Sequence, residues 1–117
     1  MLRTSLHPRA LLCAFGALIS LSCASPTLPL PPPNTPDVSF ESDSTVKLSS
    51  KEGALPEATV IIRNLDTSRP IGEQIEATLA DERGNWTKVV KAKRGDILEI
   101  TQEYRALLSP PTSFEVR

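Results

Sequence analysis

Histidine, cysteine and aromatic residues are scarce in this chain of 117 residues. Its one His is His7, its two Cys are Cys13 and Cys23, and its five aromatics are Phe15, Phe40, Trp86, Tyr104 and Phe114. Beyond residue 23 there is neither His nor Cys. That excludes a Ser-His-Asp set, a Cys-His pair and a His/Cys metal site from the rest of the chain. No apolar run reaches the roughly 20 residues that a helix needs to cross a bilayer. Neither charge dominates: 13 Lys and Arg stand against 14 Asp and Glu. Nucleic acid is therefore not an expected partner, because phosphate binding needs a basic surface. No cofactor motif is present, and none is expected. The length allows one small domain.

Residues 1–9 carry Arg3, His7 and Arg9 and no acid. An apolar run follows from Ala10 to Leu21, broken only by Ser20. A basic start and about a dozen apolar residues have the layout of a secretory signal peptide. The segment Ile19-Ser20-Leu21-Ser22-Cys23-Ala24-Ser25 resembles a bacterial lipobox, in which a small residue precedes a Cys that receives a diacylglycerol group. It departs from the usual pattern in having Ser20 three places before the Cys. Ser22-Cys23-Ala24 also fits a small-x-small site for ordinary signal peptidase, with cleavage after Ala24. The lipid reading makes residues 1–22 the signal and Cys23 the acylated first residue. Cys13 would be removed with the signal, and a thioether on Cys23 would consume a thiol that otherwise stands unpaired in an oxidising compartment. Two or three acyl chains anchor stably, at about 0.8 kcal/mol per buried CH₂.

Six of the 11 prolines fall in residues 26–36. Such a stretch favours polyproline II, a semi-rigid spacer of about 30–35 Å at about 3.1 Å per residue. Asp37, Glu41 and Asp43 continue it as a polar tail, so residues 23–43 are expected to be a tether. From Ser44 the pattern alternates. Val46 and Leu48, Val60 and Ile62, Ile75 with Ala77 and Leu79, Trp86 and Val90, Leu98 and Ile100, and Phe114 and Val116 mark six half-buried strands. Lys88 interrupts the face between Trp86 and Val90. Turn residues separate the runs, and Asp81–Asn85 and Lys93–Asp96 read as hairpins. Residues 44–117 are thus expected to form a small all-β antiparallel sandwich with Trp86 between its sheets.

Three segments carry a family resemblance. Gly53-Ala54-Leu55-Pro56-Glu57-Ala58-Thr59-Val60-Ile61-Ile62-Arg63-Asn64 resembles the opening "G-x-x-x-x-A-x-V-x-V-x-N" of bacterial Ig-like modules. Ala80-Asp81-Glu82-Arg83-Gly84-Asn85-Trp86 is similar to their "A-D-x-x-G-x-W/F" turn, and Gly95-Asp96-Ile97-Leu98-Glu99-Ile100 to their "G-D-x-L-x-I" strand start. The resemblance implies an Ig-like β-sandwich over 44–117 with a binding or structural role. Two departures stand out. Gln102-Glu103-Tyr104-Arg105-Ala106 has no glycine where those modules usually have one, and one copy stands where tandem arrays are common.

Chemistry has few candidates. Asp81, Glu82 and Asp96 could meet at the loop ends around calcium, without the spacing of an EF-hand. A glycosidase carboxylate pair needs a deep cleft, which a domain of about 75 residues has little room to build. Arg94-Gly95-Asp96 spells an integrin-recognition tripeptide, although the turn before a strand already accounts for it. The basic cluster Lys88, Lys91, Lys93 and Arg94 suits a solvated edge strand or contact with an anionic surface. The expectation is a non-catalytic bacterial envelope lipoprotein. It would be bound to the bilayer through Cys23, on the outer membrane by the resemblance of Cys23-Ala24 to sorting signals. It would meet an envelope protein or polysaccharide through Lys91, Lys93, Arg94 and Asp96. The rival readings are a secreted soluble accessory or inhibitor module and, further off, a small hydrolase.

Overall fold

The computed structural model describes residues 29–117. The short alternating runs become strands β1 (Asp37–Ser42), β2 (Thr45–Ser50), β3 (Thr59–Asn64), β4 (Ile75–Leu79), β5 (Trp86–Lys91), β6 (Ile97–Tyr104), β7 (Leu107–Leu108) and β8 (Thr112–Glu115). One turn of helix, α1 (Ile71–Gln74), precedes β4. All pairings are antiparallel. One sheet has the order β1-β2-β5. The other runs β4-β3-β6, with β7 and β8 both on the far side of β6. The inner faces meet in a core of Val46, Leu48, Val60, Ile62, Trp86, Val90, Leu98, Ile100 and Val116, with Val38, Phe40 and Phe114 packed against it. The protein is a β-sandwich.

The loops 80–85 and 92–96 are not hairpins within a sheet. Each carries the chain from one sheet to the other, since β5 pairs with β2 while β4 and β6 both pair with β3. A true two-residue hairpin occurs instead at Arg105–Ala106, between Tyr104 and its partner Leu107. Both turn residues have positive φ, 52° and 65°, the signature of a type I′ turn made without glycine.

The strand directions define two ends. The chain comes in at the proximal end, beside loops 51–58, 80–85 and 105–111. Loops 43–44, 65–70 and 92–96 and the C-terminus gather at the distal end.

Two further expectations are corrected. First, the domain begins near Pro31 rather than at Ser44. Val38 and Phe40 of β1 lie opposite Leu48 and Val46, so the polar segment 37–43 is a strand and its turn rather than tether. Pro33 and Pro36 are buried. A proline cannot donate a backbone hydrogen bond, but its carbonyl still accepts. The Pro31 carbonyl accepts from Gln102 Nε2 at 2.7 Å, the Pro33 carbonyl accepts from the Thr112 hydroxyl, and Asn34 N–H donates to the Gly53 carbonyl at 2.9 Å. The expected signal 1–22, Cys23 and the start of the tether lie outside the described residues.

Second, β4 is turned over. Ile75 and Leu79 are 52% and 66% exposed, and Glu76, Thr78 and Ala80 take the inward side. At this rim the inner face of β4 meets β5 rather than the deep core. There Glu76 lies 3.9 Å from Lys88, which accounts for the lysine that interrupts the Trp86–Val90 face.

Candidate functional site

The distal end is built around Asp96, at the turn into β6. The residue is 8% exposed. One carboxylate oxygen accepts from Asn64 Nδ2 at 3.0 Å, from Lys93 N–H at 3.0 Å and from Arg69 Nη2 at 3.1 Å. Asn64, the last residue of β3, also donates to the Lys91 carbonyl at 3.2 Å and accepts from Asp66 N–H at 2.9 Å. Arg69 reaches Glu73 at 3.5 Å, while its Nε is buried without a hydrogen-bond partner, 3.7 Å from Asp66. Burial pushes the Asp96 pKa up, but the hydrogen bonds from Asn64, Lys93 N–H and Arg69 outweigh it and hold it below the usual carboxylate range. Asp66 is also lowered, by the hydroxyl and then the N–H of Ser68.

Asp96 is therefore a buried strut between the 65–70 and 92–96 loops. It does not join Lys91, Lys93 and Arg94 as a contact residue, and its carboxylate is not presented by the Arg94-Gly95-Asp96 turn. Lys91 projects from the outer face of the β1-β2-β5 sheet, across from Thr45. Lys93 and Arg94 stay exposed at the tip, and among the described residues neither forms an ion pair. With Phe40, Glu41, Ser42 and Asp43 they line an open cleft of about 440 Å³. The Arg94 guanidinium carbon sits 4.3 Å from the centre of the Phe40 ring, a cation–π contact that steadies one wall. This cleft offers cations, carboxylates and an aromatic edge together.

The proximal end spends its polar groups on the chain itself. Asp81 accepts from Arg83 N–H at 2.8 Å and Asn85 N–H at 2.9 Å. These bonds, the one from Asn85 first, hold its pKa down. Gly84 sits at φ +83°, where a Cβ would collide with the Ala54 carbonyl, and Asn85 Oδ1 accepts from Glu52 N–H at 2.7 Å. Gln102, 1% exposed, accepts from Leu55 N–H at 2.7 Å while donating to Pro31. A second hollow of about 490 Å³ lies between Asp37, Ser49, Ser50, Lys51, Asn85, Trp86 and Thr87. Trp86 is 4% exposed, and its buried Nε1 has no partner among the described residues.

The three sequence motifs thus converge on structure. Asn64 of the first binds Asp96 of the third, and the second closes the 80–85 loop against Glu52 and Ala54. Asp81 and Asp96 lie at opposite ends of the sandwich, so the carboxylates considered for calcium do not meet. Among the described residues no group of three or more His, Cys, Asp or Glu is placed to hold a metal ion, and no helix is long and apolar enough to cross a membrane. Sequence reasoning missed Arg69 and Gln102, whose partners lie 27 and 71 residues away. Neither a protein-family model nor a curated protein matches the chain.

Proposed function

We propose that the protein is a lipid-anchored module of a bacterial envelope, held through Cys23 on the outer membrane. Its sandwich binds an envelope protein or polysaccharide through the distal end and performs no reaction of its own. The observation that carries this reading is the opposition of the two ends. The chain comes in at the proximal end, fastened by Gln102, and the open charged cleft of Phe40, Asp43, Lys93 and Arg94 lies at the other.

The strand order β1-β2-β5 against β4-β3-β6-β8 supports the Ig-like reading, being that of a seven-stranded sandwich whose fourth strand has moved beside the third. With Pro31 fixed to the domain, only residues 24–30 separate it from Cys23. Seven residues span at most about 25 Å, so the sandwich stays close to the bilayer with its cleft turned away.

Detergent partitioning of the full chain tests the anchor. The wild-type protein should enter the detergent phase and Cys23→Ala should stay in the aqueous phase. Recovery of both in the aqueous phase would favour the secreted soluble module. Crosslinking of intact envelopes tests the cleft: Lys93→Glu with Arg94→Glu should lose the partner adduct, and an unchanged adduct would remove the distal end from the reading.

A further inference from the structure

Among the described residues, and apart from the two-residue strand β7, strand β4 is the one edge left unguarded. Of the other edges, β1 has an irregular register between Phe40 and Ser42 and carries Asp37 and Glu41. Strand β5 carries Lys88 and Lys91, and Pro110 and Pro111 precede β8. Charges, prolines and irregularities are the devices that stop sheets from joining edge to edge. Strand β4, Ile75-Glu76-Ala77-Thr78-Leu79, has no proline, no basic residue and no register shift. Its single charge, Glu76, is turned inward to Lys88.

The hydrogen-bond pattern shows which backbone groups are free. Ala80 N–H donates to the Ala58 carbonyl at 2.8 Å. Alternation along the ladder then directs the groups of Thr78 and Glu76 to β3 and those of Ile75, Ala77 and Leu79 to the open edge. The bond from Leu65 N–H to the Ile97 carbonyl agrees, since it commits the odd residues of β3 to β6. The residues with free backbone groups are those whose side chains lie on the outer face: Ile75, Ala77 and Leu79, flanked by Ile71 at 78% exposure.

We infer that β4 pairs with β4 of a second copy of this chain, antiparallel about a two-fold axis at Ala77, joining two sandwiches through one continuous sheet. The strand is its own complement. Under this axis Ile75 faces Leu79 of the second copy, Ala77 faces Ala77, and Glu76 faces Thr78. Apolar meets apolar, and no like charges are opposed. A five-residue pairing is smaller than the interface of a stable dimer, about 800 Å² per partner. The association is therefore weak and reversible, and is favoured where copies are concentrated on one surface. The inference does not depend on how Cys23 is processed.

Disulfide trapping in the full chain tests it. Directly opposed residues of a hydrogen-bonded antiparallel pair have Cα atoms about 5.5 Å apart, within the disulfide range of about 4.4–6.8 Å. Under mild oxidation of cells producing the protein, Ala77→Cys should give a species of twice the chain mass. It should form at least about 10-fold faster than with Val89→Cys, an exposed position on the guarded edge strand β5, because pairing raises the effective thiol concentration. Adding Leu79→Lys, an exposed change on β4, should reduce the rate to that of the Val89→Cys control without altering protease resistance. The wild type reports any product of the native cysteines. Equal rates at positions 77 and 89, or no effect of Leu79→Lys, would overturn the inference. So would an adduct of the Ala77→Cys variant with a different protein through its introduced thiol, which would assign the edge to a foreign strand.

Discussion

The two ends of the sandwich solve the same problem with different chemistry. The distal end joins its loops through a charged knot, in which buried Asp96 accepts from Asn64, Arg69 and the Lys93 backbone. The proximal end uses a neutral amide: Gln102 ties Leu55 and Pro31 together from inside the domain. The distal knot draws the acid of its turn inward and leaves Lys93 and Arg94 exposed. The proximal tie uses its polar groups to hold the incoming chain. Ionised groups in a motif can therefore be structural, as Asp96 is here, where it holds the turn that leaves its neighbours exposed.

The largest expected effect is that of Trp86→Ala, which asks whether the two ends share one core. The indole lies at the start of β5, opposite Ser50, under the proximal end. Its removal should cost about 3–5 kcal/mol and should unfold the whole domain cooperatively in a thermal melt. Loss confined to the proximal end would show that the two ends are separate units.

Asp96→Ala comes next, at about 3 kcal/mol, because it leaves Arg69 and Asn64 without their shared acceptor. Hydrogen exchange should quicken in 64–70 and 92–96 while the Asn34 amide stays protected. The same knot sets an acid dependence. The folded pKa of Asp96 lies below its unfolded value of about 3.9, so its ionised form stabilises the fold. That contribution is complete above about pH 4 and is lost as the pH falls through the folded value. An acid titration of stability should show this loss in the wild type, and Asp96→Asn should lack that component.

Gln102→Ala should cost less, about 2 kcal/mol, and give the reverse pattern. The amide of Asn34 should exchange faster while the 92–96 loop keeps its protection. The smallest effect is a gain at the proximal tip. Ala106 holds a φ of 65°, which favours glycine, so Ala106→Gly should raise stability by about 0.5–1 kcal/mol. An unchanged melting temperature would mean that the turn is unstrained.

At the distal end the strands were legible in the sequence, but the role of Asp96, expected as a contact residue, and the crossing of 92–96 between sheets were not. Asn64 and Asp96 occupy recognisable positions, and the alternation of Val60 with Ile62 and of Leu98 with Ile100 locates the strands that carry them. The proximal end was less so. Val38 and Phe40 do alternate with polar residues, but the preceding prolines and the acids around them read as tether. Nothing near Gln102 indicates that its partner is a proline carbonyl in another segment. The orientation of β4 was misleading because its apolar residues occupy the outer side, and only the distant Lys88 explains the inward Glu76. The cleft was half visible: the sequence offered Lys93 and Arg94 but not Phe40, which a strand hidden in the supposed tether brings beside them.

Under the proposed reading, an anchor at Cys23 beside the proximal end would turn the distal cleft outward, so the start of the mature chain decides that reading. The most direct test is the intact mass of the protein extracted from the membrane fraction. If the chain is anchored, the expected first residue is Cys23 bearing diacylglycerol and acyl chains. A chain that begins at Ser25 without acyl groups would contradict it.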